Sequence, residues 1–200
     1  PLVARMSSRG HDALIAQMLD MVYDGTVTEG ASLSFPEAEA LFNKYSLNGI
    51  TSKDYYDPEL PLSWFLAKNK TSNKDIKILF GGIRNKAFGE NCCLTKHALF
   101  RQGKGITPHA HPHVTTGVTC TDFSAVLKHY KFAGNVLSRE KKLLAENRIS
   151  HGESRLRVAR FEQEVDINLT TYAEHHSPTV EKLIDQGFLK ISDEAKKMLS

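Results

Sequence analysis

Asp12-Ala-Leu-Ile-Ala-Gln-Met-Leu-Asp-Met-Val-Tyr23 is the stretch on which the fold turns. Its apolar residues Leu14, Ile15, Met18, Leu19 and Val22 recur at a spacing that fits a helix. Its length also suits a buried strand, and periodicity alone does not choose between them. Asp24-Gly25 then ends the segment as a turn. Further along, Ser34 to Ser46 reads as a helix, with a Ser34/Glu37 capping box, Pro36 in the first turn, and Ala38, Leu41, Phe42 and Tyr45 on one face. Residues 46–75 are polar and rich in Asn, Lys, Pro and Tyr, and read as a long surface loop. Lys74 to Phe80 alternates, with Ile76, Ile78 and Phe80 on one face, and runs into a Gly81-Gly82 turn. Strands are expected over Thr95–Arg101, Val114–Cys120 and Ser124–Phe132, the last two separated by a turn at Thr121-Asp122. After residue 135 the charge rises and the period becomes helical: Leu137–Asn147 after a Ser138 cap, Glu153–Asn168, Ser177–Gln186 with Ser177 as cap and Val180, Leu183 and Ile184 buried, and Ser192–Leu199. The sequence therefore predicts an α/β part over 1–135 and a helical extension over 136–200 packed on it.

Composition narrows the function. The chain has 26 Lys and Arg against 23 Asp and Glu, a formal net charge of +3, too mild for a nucleic-acid-binding face. No apolar run is long enough to cross a membrane and no signal peptide opens the chain, so a cytoplasmic protein is expected, or one peripheral at the inner face of the membrane. Three cysteines, two of them adjacent at 92 and 93, make neither a disulfide framework nor a zinc knuckle.

Three strings carry residues suited to chemistry. The first is His109-Ala-His111-Pro-His113. On an extended segment these rings share a face and could share a metal ion; on an exposed loop they would sit in water. Gly103, His109 and His111 also match the first part of a cupin metal motif, but Thr115 and Thr116 stand where that motif wants a glutamate. The second is Leu127-Lys-His-Tyr-Lys-Phe132. As a strand it places His129 and Lys131 side by side, an imidazole for a metal ion and an ammonium for phosphate oxygens. The third is Phe80-Gly-Gly-Ile-Arg-Asn-Lys-Ala-Phe-Gly89, where Gly81 and Gly82 allow close backbone approach and Arg84 could grip a phosphate or carboxylate. A plain turn with an exposed arginine would read the same.

In order, MLDMVYDG (18–25), FGGIRNKAFG (80–89) with LTKHALFR (94–101), and AVLKHYKF (125–132) resemble bacterial glycosyltransferase family 2-like proteins, whose motifs read "LDMY-x-G", "GG-x-R" with "L-x-K-x-PL", "H-x-V" and "LLHFKF". The likeness runs over nearly the whole chain and includes the His151-Gly152-Glu153 step and the closing helix that starts SPTV. Departures are the extra residue in Met21-Val22-Tyr23, alanine for proline in LTKHALFR, and Lys128 for leucine. The resemblance implies part of a GT-A-like α/β sandwich with a helical C-terminal tail. It implies a nucleotide-sugar donor held through a divalent metal, Mn²⁺ or Mg²⁺, and a saccharide or lipid-linked acceptor. Carried over, Asp20 would be the general base, Gly81, Gly82, Arg84 and Lys131 would bind substrate, and His129, with His111 or His113, would bind the metal. The family's upstream Asp-x-Asp motif has no counterpart here, so the expectation is the acceptor-side half of a transferase, inactive without the other half. The alternatives are a non-catalytic sugar- or metal-binding module and a cupin-like protein using His109, His111 and His113.

Overall fold

Ala13–Asp20 is a strand, and all eight of its residues are buried. The computed structural model describes residues 2–146 and 152–199. In it, Ala13–Asp20 is the middle of a three-stranded sheet, antiparallel to Thr95–Phe100 on one side and parallel to Cys120–His129 on the other. A strand covered on both faces shows a continuous apolar run instead of alternation, which is why its period could pass for a helix. The side chains still alternate. Ala13 and Ile15 enter one apolar cluster, with Leu66, Ile76 and Ile78, while Leu14 enters another, with Met6 and Phe123. Met18 and Leu19 join the largest cluster. Gln17, a polar residue inside the run, is satisfied: its amide donates to the Lys77 carbonyl at 3.1 Å and its oxygen accepts from Thr95 Oγ1 at 2.7 Å.

The overall class is mixed α/β, as expected, built from small sheets and short helices. Several local expectations are corrected. Residues 46–75 are not a surface loop. They hold the strand Ile50–Asp54, paired antiparallel with Lys77–Gly81, and the short helix Ser63–Leu66. Tyr55, Leu60, Leu62 and Leu66 from this stretch are buried, so scattered apolar residues outweighed its polar average. Thr121-Asp122 is not a turn but lies inside Cys120–His129. The register jumps there, from Ala13↔Cys120 to Ile15↔Ser124, and the Thr121 hydroxyl accepts from the Ile15 amide and donates to the Phe123 carbonyl. A bulge thus absorbs the turn-forming residues.

After residue 135 the helices are Val136–Ala145, Glu153–Gln163, Val180–Asp185 and Asp193–Leu199. The caps differ from expectation. Asn135, not Ser138, caps the first, accepting from the Ser138 amide at 3.0 Å. Thr179, not Ser177, caps the third, and Ser177 sits at φ 48°, outside any helix. Val180 is half exposed rather than buried, whereas Leu183 is fully buried. The expected helix end at Asn147, and His151, lie outside the described residues. Phe161, Leu183 and Leu189 share the largest cluster with Met18, Phe42 and Phe88, so the chain after 135 completes the core begun before it. His175–His176 also pairs with Lys44–Tyr45. Among the described residues no helix is long and apolar enough to cross a membrane.

Candidate functional site

The parallel pairing sets Asp20 opposite His129, each the last residue of its strand. Arg84 reaches the same point from the short helix Ile83–Phe88. That helix starts where it does because Gly81 and Gly82 take φ of 87° and 72°. A Cβ on Gly81 would lie 2.6 Å from the Gly49 carbonyl oxygen, so this crossing requires glycine. The Asp20 carboxylate is shared. Oδ2 accepts from Arg84 Nε at 2.8 Å and Oδ1 from His129 Nδ1 at 2.6 Å. Asp20 and Arg84 are both nearly inaccessible, while the His129 ring is partly exposed.

Burial alone would raise the pKa of the Asp20 carboxyl, but the Arg84 charge and the His129 hydrogen bond outweigh it and hold the pKa below its usual value. An ionised carboxylate with both oxygens engaged is a poor proton acceptor. Asp20, expected as a general base, here has both oxygens occupied, one by an imidazole and one by a guanidinium. With Nδ1–H donated to Asp20, His129 keeps the Nε2 lone pair for a ligand, as in carboxylate–histidine pairs behind metal ions and nucleophiles.

The other expected site residues fall elsewhere. Lys131 lies two residues beyond the strand end, so it does not stand beside His129 on a strand face. Its ammonium is 2.9 Å from Glu140 Oε1, and its main-chain oxygen accepts from Arg139. A lysine so paired has spent its charge inside the protein, which corrects its assignment to a diphosphate. The Gly81 and Gly82 amides donate to the Cys92 and Gly49 carbonyls, at 3.0 and 3.1 Å, and so do not cradle a phosphate. His109 has φ 47°, which breaks the extended alternation, and its ring packs edge-on against Phe100. His111 and His113 remain neighbours, their centroids 5.8 Å apart. The His113 ring is tied by Nδ1 to the Thr95 carbonyl, whereas His129 is tied to Asp20. Among the described residues no three His, Cys, Asp or Glu side chains are grouped to hold a metal ion. The expected metal set of His129 with His111 or His113 is thus not assembled.

Sequence reasoning missed a buried ion network next to Arg84. Arg157, 1% exposed, donates to Glu90 Oε2 at 2.5 Å and to Glu140 Oε2 at 3.0 Å, and Ser154 Oγ also donates to Glu140, at 2.7 Å. Glu90 follows the Arg84 helix, its amide donating to the Arg84 carbonyl. The available signal was a charge on each apolar stripe: Glu140 one turn after Val136, and Arg157 one turn before Phe161. The three cysteines are free. Cys120 is buried beside Tyr55 and His97, and burial raises its pKa to about 12, so it is an inert core thiol. Comparisons with protein-family models, with curated proteins and with solved structures found no match to this chain.

Proposed function

We propose that this chain is the acceptor-side part of a metal-dependent glycosyltransferase that moves a sugar from a nucleotide-sugar donor to an acceptor hydroxyl. The observation that carries the reading is the meeting of Asp20, Arg84 and His129, from three separate motifs, at the carboxyl ends of two parallel strands. Ligands of open α/β sheets gather at such ends. On this reading the mixed α/β core is part of a GT-A-like sandwich, with the chain after 135 packed on it.

Among the described residues no three-ligand group forms, and His129 Nε2 could supply a single ligand to a divalent ion. The chemistry that Mn²⁺ or Mg²⁺ would supply, when bound with the donor, is to offset charge on the departing diphosphate. The chain's own contribution is positioning. Arg84 keeps Asp20 ionised, Asp20 holds the His129 Nδ1 proton, and the lone pair of Nε2 is thereby fixed in direction.

The reading is tested by Mn²⁺ with uridine diphosphate as the probe, followed by NMR of the labelled chain. Paramagnetic broadening should centre on His129 and Asp20, require the nucleotide, and disappear with a chelator. His129→Ala should abolish it while leaving the amide spectrum dispersed. Broadening elsewhere, or none, overturns the proposal.

A further inference from the structure

The chain holds a cleft of about 410 Å³ that the Asp20 centre does not use, within the range of small-molecule sites. Its walls include Leu62, Phe80, Pro112 and Leu156, and its polar groups include Glu90 and His113. Glu90 is 1% exposed. Its Oε2 is bound by Arg157, but its Oε1 is buried with no partner. A buried carboxylate oxygen without a donor is costly, and a ligand that brings one recovers the loss. His113 offers a second acceptor: its ring is held by Nδ1–H donated to the Thr95 carbonyl at 3.0 Å, which leaves Nε2 as the acceptor nitrogen. Cys92, also on the wall, accepts through its carbonyl from the Gly81 amide at 3.0 Å, at the start of the Arg84 helix.

Acceptors at Glu90 and His113, with Asn91, His111 and Glu153 also on the lining beside apolar walls, suit a ligand with hydrogen-bond donors and C–H faces. A phosphate is disfavoured, because Glu90 and Glu153 both line the space. A cationic amine is disfavoured, because burial raises Glu90 to about 7 and Arg157 already pairs with its Oε2. A metal is disfavoured by the absence of any three-ligand group among the described residues. We infer that this cleft binds a neutral saccharide through hydroxyl donors to Glu90 Oε1 and His113 Nε2. As the acceptor subsite it rests on the glycosyltransferase reading, but its binding is testable without nucleotide or metal.

The experiment is saturation-transfer NMR of the chain with methyl glycosides of glucose, galactose, mannose and N-acetylglucosamine, with chelator present. At least one should bind, and Glu90→Gln should weaken it at least tenfold. Leu156→Trp offers a second variant, since Leu156 is half exposed and lies outside the buried ion network. It should fill the cleft and abolish saccharide binding, with the thermal midpoint and the Mn²⁺–nucleotide broadening unchanged. Absence of binding by all four glycosides, stronger binding of glucosamine than of its neutral counterpart, or a Leu156→Trp chain that binds as wild type would each overturn the inference. If the nucleotide probe fails and the saccharide binds, the cleft stands and the transferase reading falls.

Discussion

Asp20 shows how one side chain can be misread from its position in a motif. In sequence it is a carboxylate at the end of an apolar run; in the fold it is enclosed by a guanidinium and an imidazole. Removing its charge leaves Arg84 buried without a counter-ion. Asp20→Asn should therefore cost roughly 3–5 kcal/mol in urea unfolding at pH 7. Replacing the pair together, Asp20→Leu with Arg84→Met, should cost less than the single change, because no buried charge is left unpaired. The pH dependence has a definite sign. The folded pKa of Asp20 lies below its ordinary 3.8, so its contribution is present above that value and is lost as pH falls through the depressed one. Equal stability of wild type and Asp20→Asn at neutral pH would mean that the pair does not hold the strand ends together.

At the scale of elements, the Val136–Ala145 and Glu153–Gln163 helices are fastened to the α/β part by charge as well as by apolar contact. Glu140 and Arg157 are both fully buried, one on each helix, and reach Lys131 and Glu90. The two carboxylates titrate oppositely. Burial pushes Glu140 up, but Ser154, Lys131 and Arg157 more than reverse this and hold it at about 2. Its stabilisation is present above 4.5 and is lost as pH falls toward 2. Burial raises Glu90 to about 7 against the pull of Arg157 and Arg84. Stability from its neutral form is present below 4.5 and is lost as pH rises through 7. Relative to wild type, Glu90→Gln should gain up to roughly 3 kcal/mol between pH 4.5 and 8. Glu140→Gln should lose stability at pH 7 and approach wild type in acid. Thermal midpoints of the three proteins across that range decide the matter, and parallel curves would show that the network is solvated in solution.

For the whole molecule, one cluster draws on both sides of residue 135, with Met18, Phe42 and Phe88 against Phe161, Leu183 and Leu189. Phe88 stacks on Phe132 and tilts against Phe161, each at 5.5 Å. A core shared in this way should unfold once. Far-UV circular dichroism and the fluorescence of Trp64, the single tryptophan, should give coincident urea transitions. Two separated transitions, or two independently folded pieces after cleavage near Ser138, would divide the chain.

What the sequence determined by itself was local and composition-based. The α/β class, the Lys77–Gly81 and Thr95–Phe100 strands, the Glu37 contact that starts the Phe35–Leu41 helix and the strained Gly81-Gly82 step follow from patterns within a few residues. Asp20, Arg84 and His129 each stand in a string singled out from the sequence, but nothing in those strings shows that the three side chains meet. Tertiary structure alone decided which groups these residues meet. Whether Ala13–Asp20 is strand or helix depends on the two strands that pair along its edges, Thr95–Phe100 and Cys120–His129, both far downstream in the chain. Whether Asp20 is a base or an orienting group depends on which cations approach it. Glu140 and Arg157 are marked only by their places on apolar stripes, and nothing local marks Lys131 and Glu90 for their ion pairs. Their free energy is set by neighbours that only the folded chain supplies, since a charge is tolerated inside a protein only beside its counter-charge.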